Sequence, residues 1–229
     1  MKTSFFKSIR TFFAAVLSVS LAFSAFSAFP AVHAEETGET TDEKSYQYSV
    51  TIEFGAMAFC YDYGTWNSAN LRYEVADGER VNGPAAGTSD GFPGWYGFDG
   101  AANRISIKYT NTSLASDSLH DYLRVSLSYR ALTESDGISR NATEYIQTGL
   151  QGVTAEFYRN AALSDLIGNG NGTSLSIAKN NTEELWLSLR GEPRDANGAP
   201  FRSENLIPIG MLTISLGGFS ASETTEGGN

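Results

Sequence analysis

The stretch Tyr46-Gln47-Tyr48-Ser49-Val50-Thr51-Ile52-Glu53-Phe54 decides the fold class. Aromatic or branched apolar residues alternate with polar ones over nine positions. This is the period-two pattern of a strand with one face on a core and one in water. Gly55 breaks the alternation, as a bulge or turn would, and Met57, Phe59 and Tyr61 resume it. The same alternation recurs outward along the chain. It carries Leu71, Tyr73 and Val75, closed by Asp77-Gly78, then Ile105, Ile107 and Tyr109, then Leu123, Val125, Leu127 and Tyr129. A weaker run holds Val153, Ala155 and Phe157; Leu175 and Ile177 follow the turn Gly168–Gly172; Leu185, Leu187 and Leu189 are clear. The last run, Ile207 to Leu216, shifts phase near Gly210. Residues 82–103, rich in Gly, Pro, Ala, Asn and Asp, read as a long loop.

About nine strands at such spacings specify an all-β chain. The expected architecture is a two-sheet, mostly antiparallel β-sandwich, jelly-roll or Greek-key like, with one or two short helical inserts. The inserts are expected at 141–150, where Asn141 caps and Glu144 follows three residues on, and at 161–167.

Outside this body the composition changes. Lys2, Lys7 and Arg10 precede an uncharged, mostly apolar run from Phe12 to Phe29, and Val32-His33-Ala34 ends it before Glu35-Glu36. That is the order of parts in a secretory signal, with cleavage expected after Ala34. Ser18, Ser20, Ser24, Ser27 and Pro30 dilute the run too much for a spanning helix, and no later stretch is apolar enough to span. The expected organisation is a signal peptide over 1–34, a mobile acidic tail over 35–45, the sandwich over 46–216 and a mobile polar tail over 217–229. Localisation is then secreted, extracellular or cell-surface associated. After Gly217 there is no L-P-x-T-G, and no cysteine stands at the cleavage point, so release or non-covalent retention is expected.

Charge narrows the partners. The chain holds 16 basic and 26 acidic residues, and three of the basic ones lie in the leader, which leaves 13 against 26, a formal −13. A field of that sign repels nucleic acid and anionic lipid, so neither is expected as a partner. The single cysteine, Cys60, excludes an intramolecular disulfide, and 195 residues bury a sufficient core without one. Its neighbours Phe59, Tyr61 and Asp62 suit an inert thiol rather than a nucleophile.

No catalytic set emerges. His120, in Ser118-Leu119-His120-Asp121, is the only histidine beyond the leader, and no G-x-S-x-G elbow accompanies it. Zinc ligands are too few. Calcium remains open in principle, because Asp62, Asp90 and Asp99 sit in Gly-rich or aromatic loops, but no EF-hand string occurs and no cofactor is expected. Glu183-Glu184 are adjacent on a strand start, where successive side chains diverge; a glycosidase needs two carboxyls across a cleft. Asn-x-Ser/Thr strings stand at Asn111, Asn141, Asn171 and Asn180.

The aromatic loops are distinctive. Tyr61-Asp62-Tyr63-Gly64-Thr65-Trp66-Asn67 puts three aromatics on a turn, and Phe92-Pro93-Gly94-Trp95-Tyr96-Gly97-Phe98 puts four on the long loop. Displayed, Tyr63, Trp66, Trp95 and Tyr96 would stack on sugar faces or on a protein, with Asn67 and Asp99 for polar contacts. Folded inward, Trp66 and Trp95 would cap the open ends of the sandwich. Trp186 is out of phase with its leucine neighbours and belongs on the opposite sheet face.

These motifs resemble an uncharacterised group of small secreted proteins of Gram-positive bacteria. The likeness rests on Ser49–Phe54, on Met57–Tyr63 with the Gly64-Thr65-Trp66-Asn67 turn, on Leu71-Arg72-Tyr73-Glu74, on Gly94-Trp95, on Ile107–Ser113 and on Ile209–Ile214. A looser similarity in fold, tails and closing strand links it to β-sandwich proteins of biofilm matrices. The resemblance implies a fold and a location, not a mechanism. The expected function is therefore a non-enzymatic secreted or cell-surface structural or adhesive protein. It would contact itself, other surface proteins or polysaccharide; the alternative is a carbohydrate-binding module that uses the loop aromatics.

Overall fold

The computed structural model describes residues 11–14, 48–76, 83–112, 120–133, 150–203 and 207–221. Its strands are β1 (Thr11–Ala14), β2 (Tyr48–Phe54), β3 (Ala58–Asp62), β4 (Thr65–Asn67), β5 (Arg72–Glu74), β6 (Gly94–Tyr96) and β7 (Arg104–Asn111). They continue with β8 (Tyr122–Ala131), β9 (Thr154–Tyr158), β10 (Leu166–Asn169), β11 (Thr173–Ala178), β12 (Asn181–Arg190), β13 (Ile207–Pro208) and β14 (Gly210–Ser220).

A five-stranded sheet in the order β10-β9-β12-β7-β2 faces a three-stranded sheet, β11-β8-β14. A further sheet, β13-β1-β3-β6, meets the second at Ile209, where β13 passes into β14 and Leu132 N–H bonds the Ile209 carbonyl. From β7 to β12 the chain crosses between the two layers, except that β9 and β10 pair as neighbours in one sheet, and every strand pairing among the described residues but β1–β13 is antiparallel. This is the all-β sandwich that the alternation requires.

The core lies where the inward phases meet. Ile105, Ile107, Leu185 and Leu187 from one sheet, with Leu127 and Ile214 from the other, are almost wholly buried. Two buried polar groups stitch the layer edge without cost, because each finds a partner. Asn103 donates to the Leu187 carbonyl at 2.8 Å and accepts from Gly100 N–H at 3.0 Å. The Ser188 hydroxyl accepts from Ala86 N–H at 3.0 Å.

Gly55 turns the chain from one sheet into the next. A Cβ there would lie 2.1 Å from the Ala101 carbonyl oxygen, so only glycine lets β2 and its neighbour approach so closely. Gly55 N–H bonds Arg104, and Met57 N–H bonds Ala102. β3 leaves that corner with both faces covered. Phe59 stacks on Phe98 at 4.3 Å in the main core, while Cys60 joins Val75 and Tyr96 in a small second cluster.

Several expectations change. The loop expected over 82–103 contains β6, which pairs with β3. The helix expected at 161–167 is a turn followed by β10. Asn160 caps Ser164 N–H at 3.1 Å, and Leu163 takes a positive φ, neither compatible with helix continuation. Nine of the ten residues of the helix expected at 141–150 lie outside the described residues, as do most of the two expected tails. β14 runs beyond residue 216 to Ser220, because a register shift at Gly218 lets Phe219 pack on Tyr48, Tyr109 and His120. Of the expected leader only Thr11–Ala14 is described, and it pairs as a strand; the rest of residues 1–34 lies outside the described residues. Trp186 points away from the core, as its phase requires, and the loop before β7 covers it, with its N–H on the Gly100 carbonyl at 2.7 Å.

Candidate functional site

The site is built from a turn, two three-residue strands and a tight corner. Asp62, at the end of β3, is buried and accepts Gly64 N–H at 2.7 Å. Gly64 has a φ of 66°, and a Cβ there would crowd the Glu74 carbonyl at 2.9 Å, so the local sequence Asp-Tyr-Gly is what lets β4 start in its new direction. β4 then pairs with β5 in the register Thr65↔Glu74, Trp66↔Tyr73 and Asn67↔Arg72.

In a ribbon this short, opposed residues share a face. Trp66 and Tyr73 therefore stand side by side, their rings 5.3 Å apart and inclined at 67°. Each is 54% exposed, and Leu71 at the tip is 74% exposed. The alternate face is polar and occupied. Asn67 accepts Ala69 N–H at 2.9 Å and donates to Glu74 at 2.6 Å; Asn70 donates to the same carboxylate at 2.9 Å. Arg72 Nε reaches Glu74 Oε1 at 2.6 Å and places its guanidinium 4.7 Å from the Phe92 ring centroid. With Val75 N–H bonded to the Gly91 carbonyl, these contacts tie one face of the ribbon to the 87–93 loop. Hydrogen bonds from Arg72, then Asn67 and Asn70, hold the Glu74 carboxyl below its ordinary value. A shallow hollow lined by Thr65, Trp66, Asn67, Ser68, Glu74 and Ala76 flanks the indole.

The other residues singled out from the sequence go elsewhere. Trp95 and Tyr96, each 1% exposed, cannot meet a ligand. Trp95 packs edge-on against Tyr61 at 5.3 Å and donates to the Gly191 carbonyl at 2.7 Å; Tyr96 donates to the Phe92 carbonyl at 2.5 Å. Both rings bury because their polar ends are satisfied inside. Tyr63 is half-buried. Its hydroxyl lies 2.8 Å from the Phe201 carbonyl and 3.0 Å from that of Pro193, and Arg202 covers its ring at 4.3 Å. Burial, then the Glu192 charge, pushes its phenol well above the ordinary tyrosine range. Asp99 is exposed but bonded to Ala102 and Ala101 N–H at 2.8 and 2.9 Å, which keeps its carboxyl low. Of the six residues, the structure brings only Trp66 and Asn67 together at an accessible surface.

The residues that the sequence reading missed are Tyr73, Asn70 and Glu74. The alternation with Leu71 and Val75 predicts a core-facing Tyr73. The available signal was the spacing: an aromatic seven residues after Trp66, across an Asn-rich tetrapeptide, is what a hairpin pair presents.

Other polar clusters are structural. Glu184 meets Arg104 at 3.2 Å while Glu183 turns to Arg159 at 3.6 Å, so the two carboxyls diverge. His120 packs against the Phe219 ring at 4.7 Å, and Asp121 pairs with Lys179. No family model, curated protein or solved structure matches the chain.

Proposed function

We propose that this is a non-catalytic, secreted or cell-surface β-sandwich that adheres through the outward face of the β4–β5 ribbon. One observation carries the reading: Trp66 and Tyr73 are paired, more than half exposed, and held on a ribbon whose other face is tied by Asn67, Arg72 and Glu74. An aromatic pair in water leaves a large apolar area unburied; tethering it rigidly lowers the entropy lost when a partner covers it. The acidic composition and leader-like N-terminus support an exterior location. The contact is to a copy of the chain or to another surface macromolecule.

Sedimentation of the full chain over a wide concentration range tests this, with and without Trp66→Ser plus Tyr73→Ser. Concentration-dependent growth that the double variant abolishes, with far-UV circular dichroism unchanged, supports adhesion through the ribbon. Equal growth in both proteins removes the ribbon from the contact. The Asn67, Asn70 and Glu74 fringe beside the indole favours a second reading, polysaccharide recognition. Rings inclined at 67° offer one stacking face each rather than a flat platform, so a single sugar would sit on Trp66. Affinity electrophoresis in soluble glucans, xylans and chitin fragments tests it. Retardation lost with Trp66→Ser would shift the assignment to glycans.

A further inference from the structure

β1 occupies an unusual place. Its four residues lie between two strands that are remote in sequence, antiparallel to Ala58–Tyr61 of β3 and parallel to Ile207–Pro208 of β13. The register pairs Phe12 with Cys60, and Phe13 with both Phe59 and Ile207. Lift β1 out and β3 and β13 stand two strand spacings apart, roughly 10 Å, too far to pair with each other. The freed edge belongs mainly to β3, since Pro208 has no N–H to offer. The position opposite Phe59 and Ile207 is on the main-core side, because both are buried there; the position opposite Cys60 is on the side of the Val75–Tyr96 cluster. An occupant must therefore be extended and apolar on both faces. Thr11-Phe12-Phe13-Ala14 has that composition, and it belongs to the expected leader.

We propose that the place of β1 is a strand-acceptor slot. The leader holds it in the precursor, and an extended apolar segment of another polypeptide fills it, by strand addition to β3, once the leader is removed. A row of unpaired main-chain donors and acceptors above an apolar floor is costly to leave open and gives affinity to any strand that fits. The leader strand is the direct guide to the chemistry of that partner. The slot is distinct from the β4–β5 ribbon, so the adhesive reading can fail without touching it.

The test uses the full chain. Phe13→Pro removes a donor and a tolerated conformation from the middle of a flanked strand, which ejects β1 and opens the slot in cis. The probe is a fluorescein-labelled peptide of residues 8–17 followed by anisotropy. Expected is saturable binding to the Phe13→Pro chain, at least about tenfold tighter than to the wild type, whose slot is filled, and none by a peptide carrying the same proline. A peptide with cysteine at position 12 should be captured by Cys60 under oxidised glutathione, since opposed residues of an antiparallel pair lie within disulfide reach. Equal binding to both chains, or no binding to a Phe13→Pro chain with unchanged circular dichroism, overturns the proposal. If Phe13→Pro does not fold, Phe12→Cys in the full chain decides: an intramolecular disulfide to Cys60 upholds the seat, and its absence under the same oxidation overturns it.

Discussion

Trp95 and Trp66 lie in three-residue strands within Gly-rich aromatic stretches and have opposite fates, so truncating each in turn separates burial from display. Trp95 is 1% exposed, and its indole N–H bonds Gly191. Removing a buried indole forfeits on the order of 200 Å² of apolar contact, about 5 kcal/mol at 25 cal/mol/Å². A partly compact unfolded state trims that figure by a fifth or so, to about 4 kcal/mol. The Gly191 carbonyl left without its donor returns about 1 kcal/mol to the cost. Trp95→Ala should therefore destabilise by about 4–5 kcal/mol, at the upper end of large-to-small core changes and most of the stability of an ordinary domain. Trp66 is 54% exposed and loses chiefly its edge contact with Tyr73, worth about 0.5–1 kcal/mol. Urea unfolding followed by far-UV circular dichroism measures both, and acrylamide quenching of the single-Trp variants reports exposure independently. A Trp95→Ala cost below about 1 kcal/mol, or a Trp66→Ala cost above about 3 kcal/mol, would show that the two indoles had been assigned to the wrong environments.

Asn103→Ala should cost about 2–3 kcal/mol in the same assay, because it strips a buried amide that answers both the Leu187 carbonyl and Gly100 N–H; an effect within about 0.5 kcal/mol would mean that water replaces it. Tyr129→Phe should be neutral or stabilising at neutral pH, since its buried hydroxyl has no partner among the described residues. The same residue fixes an alkaline limit. Burial raises its phenol above the ordinary 10.0, so its neutral form favours the fold, and this contribution is intact below pH 10 and fades above it. Tyr129→Phe should then move the alkaline unfolding midpoint upward, and an unchanged midpoint would point to the other tyrosines. Glu74 titrates in the opposite sense: its carboxyl is held below 4.5, so what it contributes to the ribbon is present above that pH and fades as acid protonates it. The fluorescence difference between the wild type and Trp66→Phe, which isolates the exposed indole, should shift on acidification, and Glu74→Gln should remove that acid step.

How far the sequence carried can be read from particular residues. Ile105, Ile107, Leu185, Leu187 and Leu189 alternate within one segment, and a strand's two faces are set by its own period, so their burial was legible. The fate of Trp95 was not, because it depends on partners far along the chain: Tyr61 across β3 and the carbonyl of Gly191, 96 residues away. Gly94-Trp95-Tyr96 is also too short to alternate visibly, and its Pro and Gly flanks carry the composition of a loop. β10 was hidden similarly. Leu166 and Ile167 follow an Ala-rich stretch that suits a helical turn, and only pairing with β9 decides otherwise.

The same distinction explains why the candidate site was half legible. Trp66 and Asn67 were visible because the Asp62–Asn67 turn is local chemistry: an Asx acceptor, a glycine with positive φ, then a strand. Tyr73 was assigned to the core by its alternation with Leu71 and Val75, yet Leu71 is at a hairpin tip with a positive φ and Val75 lies past the end of β5. Two apolar residues that frame a strand without belonging to it imitate a core-facing period. What reverses the face is the Glu74 carboxylate. By binding Asn67, Asn70 and Arg72 on one side, it fixes the polar face against the 87–93 loop and leaves the aromatic face outward. A surface carboxylate thus orders the face opposite the Trp66–Tyr73 pair, and hydropathy, which scores Glu74 only as polar, has no term for that arrangement.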